Sequence, residues 1–410
     1  MGTGRPSSAG VAAATGLAVA GLGLVVAAAA CGHDGASAPP DADIPFDRET
    51  LLAHLADDVL IPTYDTFADQ TAAVSTAIDG YCAALDGGDA PAIDGAQAGA
   101  RAAWVTAMDT WEGAEAVLVG PAARIDQMLR NRIYSWPFVA PCSIDKDVVL
   151  RWTTPARYDV TARLDNERSL AAIEYLLYDE DATSSCLTTP AGWDALGADR
   201  AKARCALASA IAVDVDAQAH LLANTWHRDG GNYRDTFVFA GSGASTIPTQ
   251  REAINMVSDA LFYVDRMVKD MKLGEPAGII QNACGSVETP CLLEVELRYS
   301  DRAVQAIRSN LKVLRVGFTG SGAAVDGPGF DDYLTAAGVG SVADRMVAEI
   351  DDAIGKADAL PDDFIGDLSN DRDALVALHE QLKVVVNDFK TQFLTVLGLD
   401  IPAEIAGDND

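Results

Sequence analysis

The feature that most restricts the fold is an apolar pattern with intervals of three and four residues. Ile254, Val257, Leu261, Val264, Val268 and Met271 recur this way, and so do Leu375, Leu378, Leu382, Val385, Phe389, Phe393 and Val396. At 3.6 residues per turn such positions share one helix face, so each segment predicts an amphipathic helix with one side in a core. Ala100, Trp104, Ala107, Trp111, Ala114 and Leu118 repeat the pattern inside a predicted helix over 92–119. Further helices are expected over 47–85, bent or restarted at Pro62, and over 166–179, 199–226, 299–316 and 341–358. Aromatics make up only 7% of the chain and alanine is abundant, which favours close-packed helices over sheet. The reading is all-α. The Gly/Ser/Thr-rich stretch 240–249 is the best boundary, and it divides the chain into two helical bundles, 47–240 and 241–410.

Residues 9–30 are an unbroken apolar run after Arg5, and the run stops at Cys31. This reads as an export signal over 1–30. A cysteine directly after three alanines marks a lipidation site, so Cys31 is expected to carry the anchor, with 31–46 as a Pro- and Asp-rich tether. The body is then extracytoplasmic, lipid-anchored in the cell envelope, in the outer membrane or at the cell surface. Thirty Lys and Arg stand against 60 Asp and Glu, a net charge of −30, which excludes nucleic acid as a partner. Besides Cys31 there are six cysteines, an even number that in an oxidising compartment points to disulfides. Local closure favours Cys284–Cys291 and Cys186–Cys205, leaving Cys82–Cys142.

Two acidic positions stand out. Glu115 falls inside the Trp104/Trp111 stripe, where a carboxylate must be partnered or protonated. On a helix over 166–179, Glu167, Ala171, Glu174 and Tyr178 line one narrow stripe beside the core face formed by Leu170, Ile173, Leu176 and Leu177. No HExxH, phosphate-loop or GxSxG pattern occurs, and Gly320-Ser321-Gly322 reads as a turn. The five histidines (33, 54, 220, 227 and 379) are scattered.

Several segments, taken in order, resemble the imelysin-like proteins. They are Ile61-Pro62-Thr63-Tyr64, the run 114–121 (AEAVLVGP), 132–137 (RIYSWP), 169–177, Glu296 to Ser300 (ELRYS), and 393–410 with its Leu-Gly-Leu and closing Gly-Asp. The resemblance covers 47–405. It implies two helical bundles with a cleft between them, an envelope location and a link to iron supply. The family signature Gly-x-His-x-x-Glu is proposed as a metal or catalytic site in members described as peptidases. Here Ser169 stands for the glycine and Ala171 for the histidine, and Glu174 is kept. A lone carboxylate cannot replace a three-ligand zinc set. The resemblance groups Glu115 and Glu174 in one cleft near Arg132, Trp136, Glu296 and Ser300, with Glu174 as the remaining candidate ligand for iron or another divalent metal. A buried polar network at the interface is the competing reading.

These observations leave three readings. The favoured one is a non-catalytic envelope binding or interaction protein that serves metal acquisition and has an envelope protein as partner. The others are a metallopeptidase with a displaced histidine such as His54 or His379, and a purely structural envelope protein.

Overall fold

The computed structural model describes residues 44–402 except 124–126, 286 and 371. The export run, Cys31 and the tether up to residue 43 lie outside the described residues. Among the described residues every regular element is helical, without a strand. Asp47 starts the first helix by accepting the Thr50 N–H at 3.1 Å, which satisfies one of the amides that has no partner within the helix. From it α1 (Arg48–His54) passes through one π-helical turn (Leu55–Leu60) into α2 (Ile61–Gly87). Pro62 directly follows the π-helical turn, and the backbone stays right-handed helical through Leu60 and Ile61, so the helix runs on past the proline, with the π-turn where its N–H is missing, instead of breaking.

Asp89 caps α3 (Ala90–Glu115), which ends one turn before the Gly120-Pro121 stop. The short helices α4 (Met128–Ile133), α5 (Pro141–Thr153), α6 (Leu170–Tyr178) and α7 (Trp193–Leu196) follow, then α8 (Arg200–Trp226) and α9 (Tyr233–Val238). Thr249 caps α10 (Gln250–Leu261), which leads into a π-helical segment (Val264–Gly274). The rest comprises α11 (Ala303–Thr319), α12 (Phe330–Ala336), α13 (Gly340–Ala359), α14 (Phe364–Asn370), α15 (Arg372–Asp388) and α16 (Leu394–Leu397). A third π-helical turn, Phe389–Phe393, joins the last two. Gly320 closes α11 in the left-handed region, with φ 64°, and the Gly322 N–H returns to the Val325 carbonyl. The Gly320-Ser321-Gly322 motif is a turn.

Packing follows the apolar stripes. α2 lies along α3 and α8, α13 packs on α15, α12 and α11, and α15 packs on the π-helical segment. α11 also lies on α3 and so joins the two ends of the chain. The described residues form one compact unit. Trp104 and Trp111 are fully buried. The Trp104 indole N–H donates to the Leu170 carbonyl at 2.9 Å, tying α3 to α6, and Trp111 packs on Phe67 of α2.

The disulfides correct two of the three expected pairs. Cys82 bonds Cys205, Cys142 bonds Cys186, and Cys284 bonds Cys291. Cys82–Cys142 and Cys186–Cys205 are absent because the fold sets α8 against α2, which brings Cys205 to Cys82. The 179–190 loop lies over the start of α5, where Cys186 meets Cys142. Proximity in sequence decided only the seven-residue closure.

Candidate functional site

Glu174 sits in the middle of α6, 4% exposed. Its Oε1 accepts three hydrogen bonds, from the Tyr299 N–H (3.1 Å), the Ser300 N–H (2.9 Å) and the Ser300 hydroxyl (2.8 Å). The segment that supplies them turns sharply. Leu297 and Asp301 flank it with φ of 49° and 54°, a left-handed conformation that costs residues with a Cβ about 1 kcal/mol each. The strain aims two consecutive amides at one oxygen. Burial pushes the Glu174 carboxyl up to about 7, against the three hydrogen bonds that favour its ionised form.

Five residues before Tyr299, Glu294 on the same strap accepts the Ala283 N–H at 2.9 Å; two residues later the strap turns Glu296 inward. Glu296 is fully buried. Its Oε1 accepts from the Tyr134 hydroxyl at 2.9 Å, and its Oε2 lies 2.9 Å from Lys272 Nζ. Lys272, on the π-helical segment, is also fully buried. Its ammonium reaches Glu112 Oε2 at 2.5 Å and Asn310 Oδ1 at 3.0 Å, with the Trp136 and Tyr263 rings 5.8 and 5.3 Å away. Asn310 Nδ2 donates to the Glu112 backbone carbonyl (2.5 Å) and to Glu112 Oε2 (3.1 Å). Glu112 Oε1 is buried without a partner. Burial, with Glu296 and Glu115 nearby, raises the Glu112 carboxyl to about 8, so it carries a proton at neutral pH. Burial also raises Glu296. Lys272 is held as an ammonium, well above its usual value, because the acidic groups around it, with the Glu296 carboxylate in direct contact, outweigh its desolvation.

Glu115, at the end of α3, is 1% exposed. It accepts from Arg130 Nε at 2.7 Å and from the Tyr263 hydroxyl at 2.8 Å, which meets the demand that a carboxylate in that stripe be partnered. Arg130 also donates to the Trp136 carbonyl at 2.7 Å. Burial above all, and then the acidic groups around it, Glu296, Glu112, Glu174 and Glu115, push the Tyr134 hydroxyl far up.

Of the residues expected near one cleft, Glu115, Trp136, Glu174, Glu296 and Ser300 converge. Ala171 and Ser169 are buried beside them, with the Ser169 hydroxyl 2.7 Å from that of Ser135. Two expectations are corrected. Arg132 points to Asp165 at 3.6 Å and is one-third exposed; Arg130 takes the inner place, because residues two apart on a helix face about 200° apart. Glu167 precedes α6, on a single 3-10 turn, where it accepts the Leu164 N–H at 3.2 Å. The chain is extended at Ser169, so the Glu167-to-Glu174 stripe is never formed. His54 bonds Asp58 and the Gly320 carbonyl at 2.8 and 2.7 Å, and His379 is buried beside Lys269 with its imidazole lowered to about 4 by burial. Neither has a contact with Glu174.

Sequence reasoning missed Glu112, Arg130, Tyr134, Tyr263, Lys272 and Asn310. A signal existed for two of them: Lys272 is four residues after Val268 and Glu112 four after Met108, on core faces both times.

The residues do not fit the metal that the motif implies. Ala171 offers a methyl group, one oxygen of Glu174 is committed to three donors, and the chain's own Lys272 and Arg130 bind the remaining carboxylates. Among the described residues no group of three His, Cys, Asp or Glu side chains is arranged to hold a metal ion. The depressions of about 400 Å3 beside Asn255 and Asp400 and about 300 Å3 beside Tyr81 and Arg204 lie away from this network.

The sequence model described as Imelysin matches residues 60–385. Two solved structures share the fold. An imelysin-like protein from Psychrobacter arcticum 273-4 aligns with a TM-score of 0.63 at 16% identity, covering 86% of this chain and 96% of that one. A protein described as an iron-regulated protein A precursor, from Parabacteroides distasonis ATCC 8503, aligns with a TM-score of 0.61 at 19% identity, covering 85% and 96%. No curated protein matches the chain.

Proposed function

From the premise that this chain belongs to the imelysin family, we propose that it is a non-catalytic member, a lipid-anchored envelope protein that acts by binding a partner in iron supply. One observation carries the reading. At the family's histidine position stands Ala171, and the retained Glu174 is held by Tyr299 and Ser300, so a carboxylate that could serve as ligand or base is used to fasten α6 to the 297–301 strap. Lys272 and Arg130 make the neighbouring carboxylates part of the same fastening. A peptidase needs a polarised water and an open position for the substrate carbonyl; a buried network of filled donors and acceptors supplies rigidity instead.

Three disulfides fit an oxidising, extracytoplasmic compartment, and Cys31 at the end of the apolar run supports the lipid anchor. The iron link draws on the description of the Parabacteroides protein as iron-regulated. The test has two arms. Purified chain incubated with an unfolded protein substrate is expected to release no peptides, with or without EDTA. A deletion strain is expected to take up less iron and to be restored equally by the wild type and by Glu174→Gln. Chelator-sensitive cleavage that disappears in Glu174→Gln would overturn the reading.

A further inference from the structure

The Lys272 ammonium and the Asn310 carboxamide form, with Glu112 and Glu296, an arrangement that goes beyond charge balance. Nζ lies 3.0 Å from Oδ1 of the amide, so the electrophilic carbon is one C=O bond, about 1.2 Å, further on. One carboxylate oxygen, Glu296 Oε2, lies 2.9 Å from the amine. A second carboxyl, Glu112, lies 3.1 Å from the amide nitrogen that would leave. All four side chains are at most 1% exposed, and the Trp136 and Tyr263 rings stand within 6 Å of Nζ. Burial keeps bulk water, the competing nucleophile, away from them, and the reacting groups are held close together without any need to diffuse.

We propose that Lys272 and Asn310 join in an intramolecular isopeptide bond, with Glu296 as base and Glu112 as acid. Glu296 takes a proton from the Lys272 ammonium and frees the amine. Nζ attacks Cγ of Asn310, and the C=O electron pair moves to Oδ1. A half-turn of the Glu112 carboxyl about Cγ–Cδ brings its proton to Nδ2. The C–N bond to Nδ2 breaks as the carbonyl re-forms, and the excess proton on Nζ returns to Glu112. Ammonia leaves, and the proton first taken from Lys272 stays on Glu296 or departs with the ammonia as ammonium. Atoms and charge balance without an oxidant, metal or co-reactant. The bond links the π-helical segment to α11 through side chains that already touch.

Both carboxyls suit their tasks. Glu112 is the protonated one, held so by burial and by Glu296 and Glu115, and its Oε1 has no other partner. Glu296 has the Tyr134 hydroxyl to stabilise its charge.

The experiment is peptide mapping of the purified, folded full chain after disulfide reduction. A trypsin digest is expected to lack cleavage after Lys272 and to yield a branched peptide that joins the segments around 272 and 310, lighter by one ammonia than the sum of its parts. In Glu112→Gln and in Glu296→Gln, cleavage after Lys272 is expected to return, with Asn310 unmodified. Linear peptides ending at Lys272 beside intact Asn310 in the wild type would overturn the proposal. So would ammonia loss at Asn310 with Lys272 still cleavable, which would mean cyclisation on the backbone. The wild-type map decides the matter even where a variant fails to fold, and it reports nothing about peptidase activity or iron.

Discussion

Replacing Glu174 by glutamine tests the central reading through stability alone. The variant keeps an oxygen to accept from Tyr299 and Ser300 and removes only the charge. In the folded chain burial holds the Glu174 carboxyl near 7, whereas in the unfolded chain it titrates near 4.5. Between these values the folded state binds a proton that the unfolded state has lost, so stability falls as pH rises. The contribution is fully present below 4.5 and gone above 7. A gap of roughly two and a half pKa units at 1.36 kcal/mol each gives about 3 kcal/mol. Urea unfolding of both proteins from pH 4 to pH 8 reads this directly. The wild type is expected to lose about 3 kcal/mol relative to Glu174→Gln across that window, with the two curves parallel outside it. Parallel curves throughout would mean that Glu174 is ionised in the fold at all these pH values, as a metal ligand would be, and would refute the account of a carboxylate clamped by donors alone.

Ser300→Ala removes one of the three donors to Glu174. It is expected to cost about 1–2 kcal/mol above pH 7 and to move the fall in stability to higher pH, measured in the same titration. The disulfides rank by the loops they close: breaking Cys82–Cys205 (separation 123), Cys142–Cys186 (44) or Cys284–Cys291 (7) by Cys→Ser is expected to cost at most about 5, 4 and 2–3 kcal/mol in turn. Urea midpoints of the single variants give the order, and a largest loss from Cys284→Ser would contradict the chain-entropy argument.

The sequence made the helices legible because their periods are strong. Leu375, Leu378, Leu382, Val385, Phe389 and Phe393 are all buried as their spacing required, and the helix expected over 199–226 is α8 almost to the residue. Glu115, Glu174 and Glu296 could be chosen because acids on apolar faces or in family segments demand an explanation. The positive partners were harder to choose. Lys269 and Lys272 are three apart and share a helix face, and both are fully buried; the spacing placed them inward, but the acids that make room for the Lys272 ammonium, Glu112 and Glu296, come from distant parts of the chain. Glu167 failed for another reason: equal spacing on paper presumes one uninterrupted helix, and the extended backbone at Ser169 divides it.

The cross-links of the N-terminal half are nested, with Cys142–Cys186 lying inside the span of Cys82–Cys205. A chain that enters an oxidising space with its N-terminus leading would expose Cys82 to Cys142 well before Cys205 arrived. Oxidant alone would then favour the wrong neighbour, and the native order would depend on thiol exchange or on α8 docking against α2 before the sulfurs close. For a chain exported in that way, the four sulfur atoms of the nested pairs would tie maturation to the thiol-exchange machinery of the compartment that receives it.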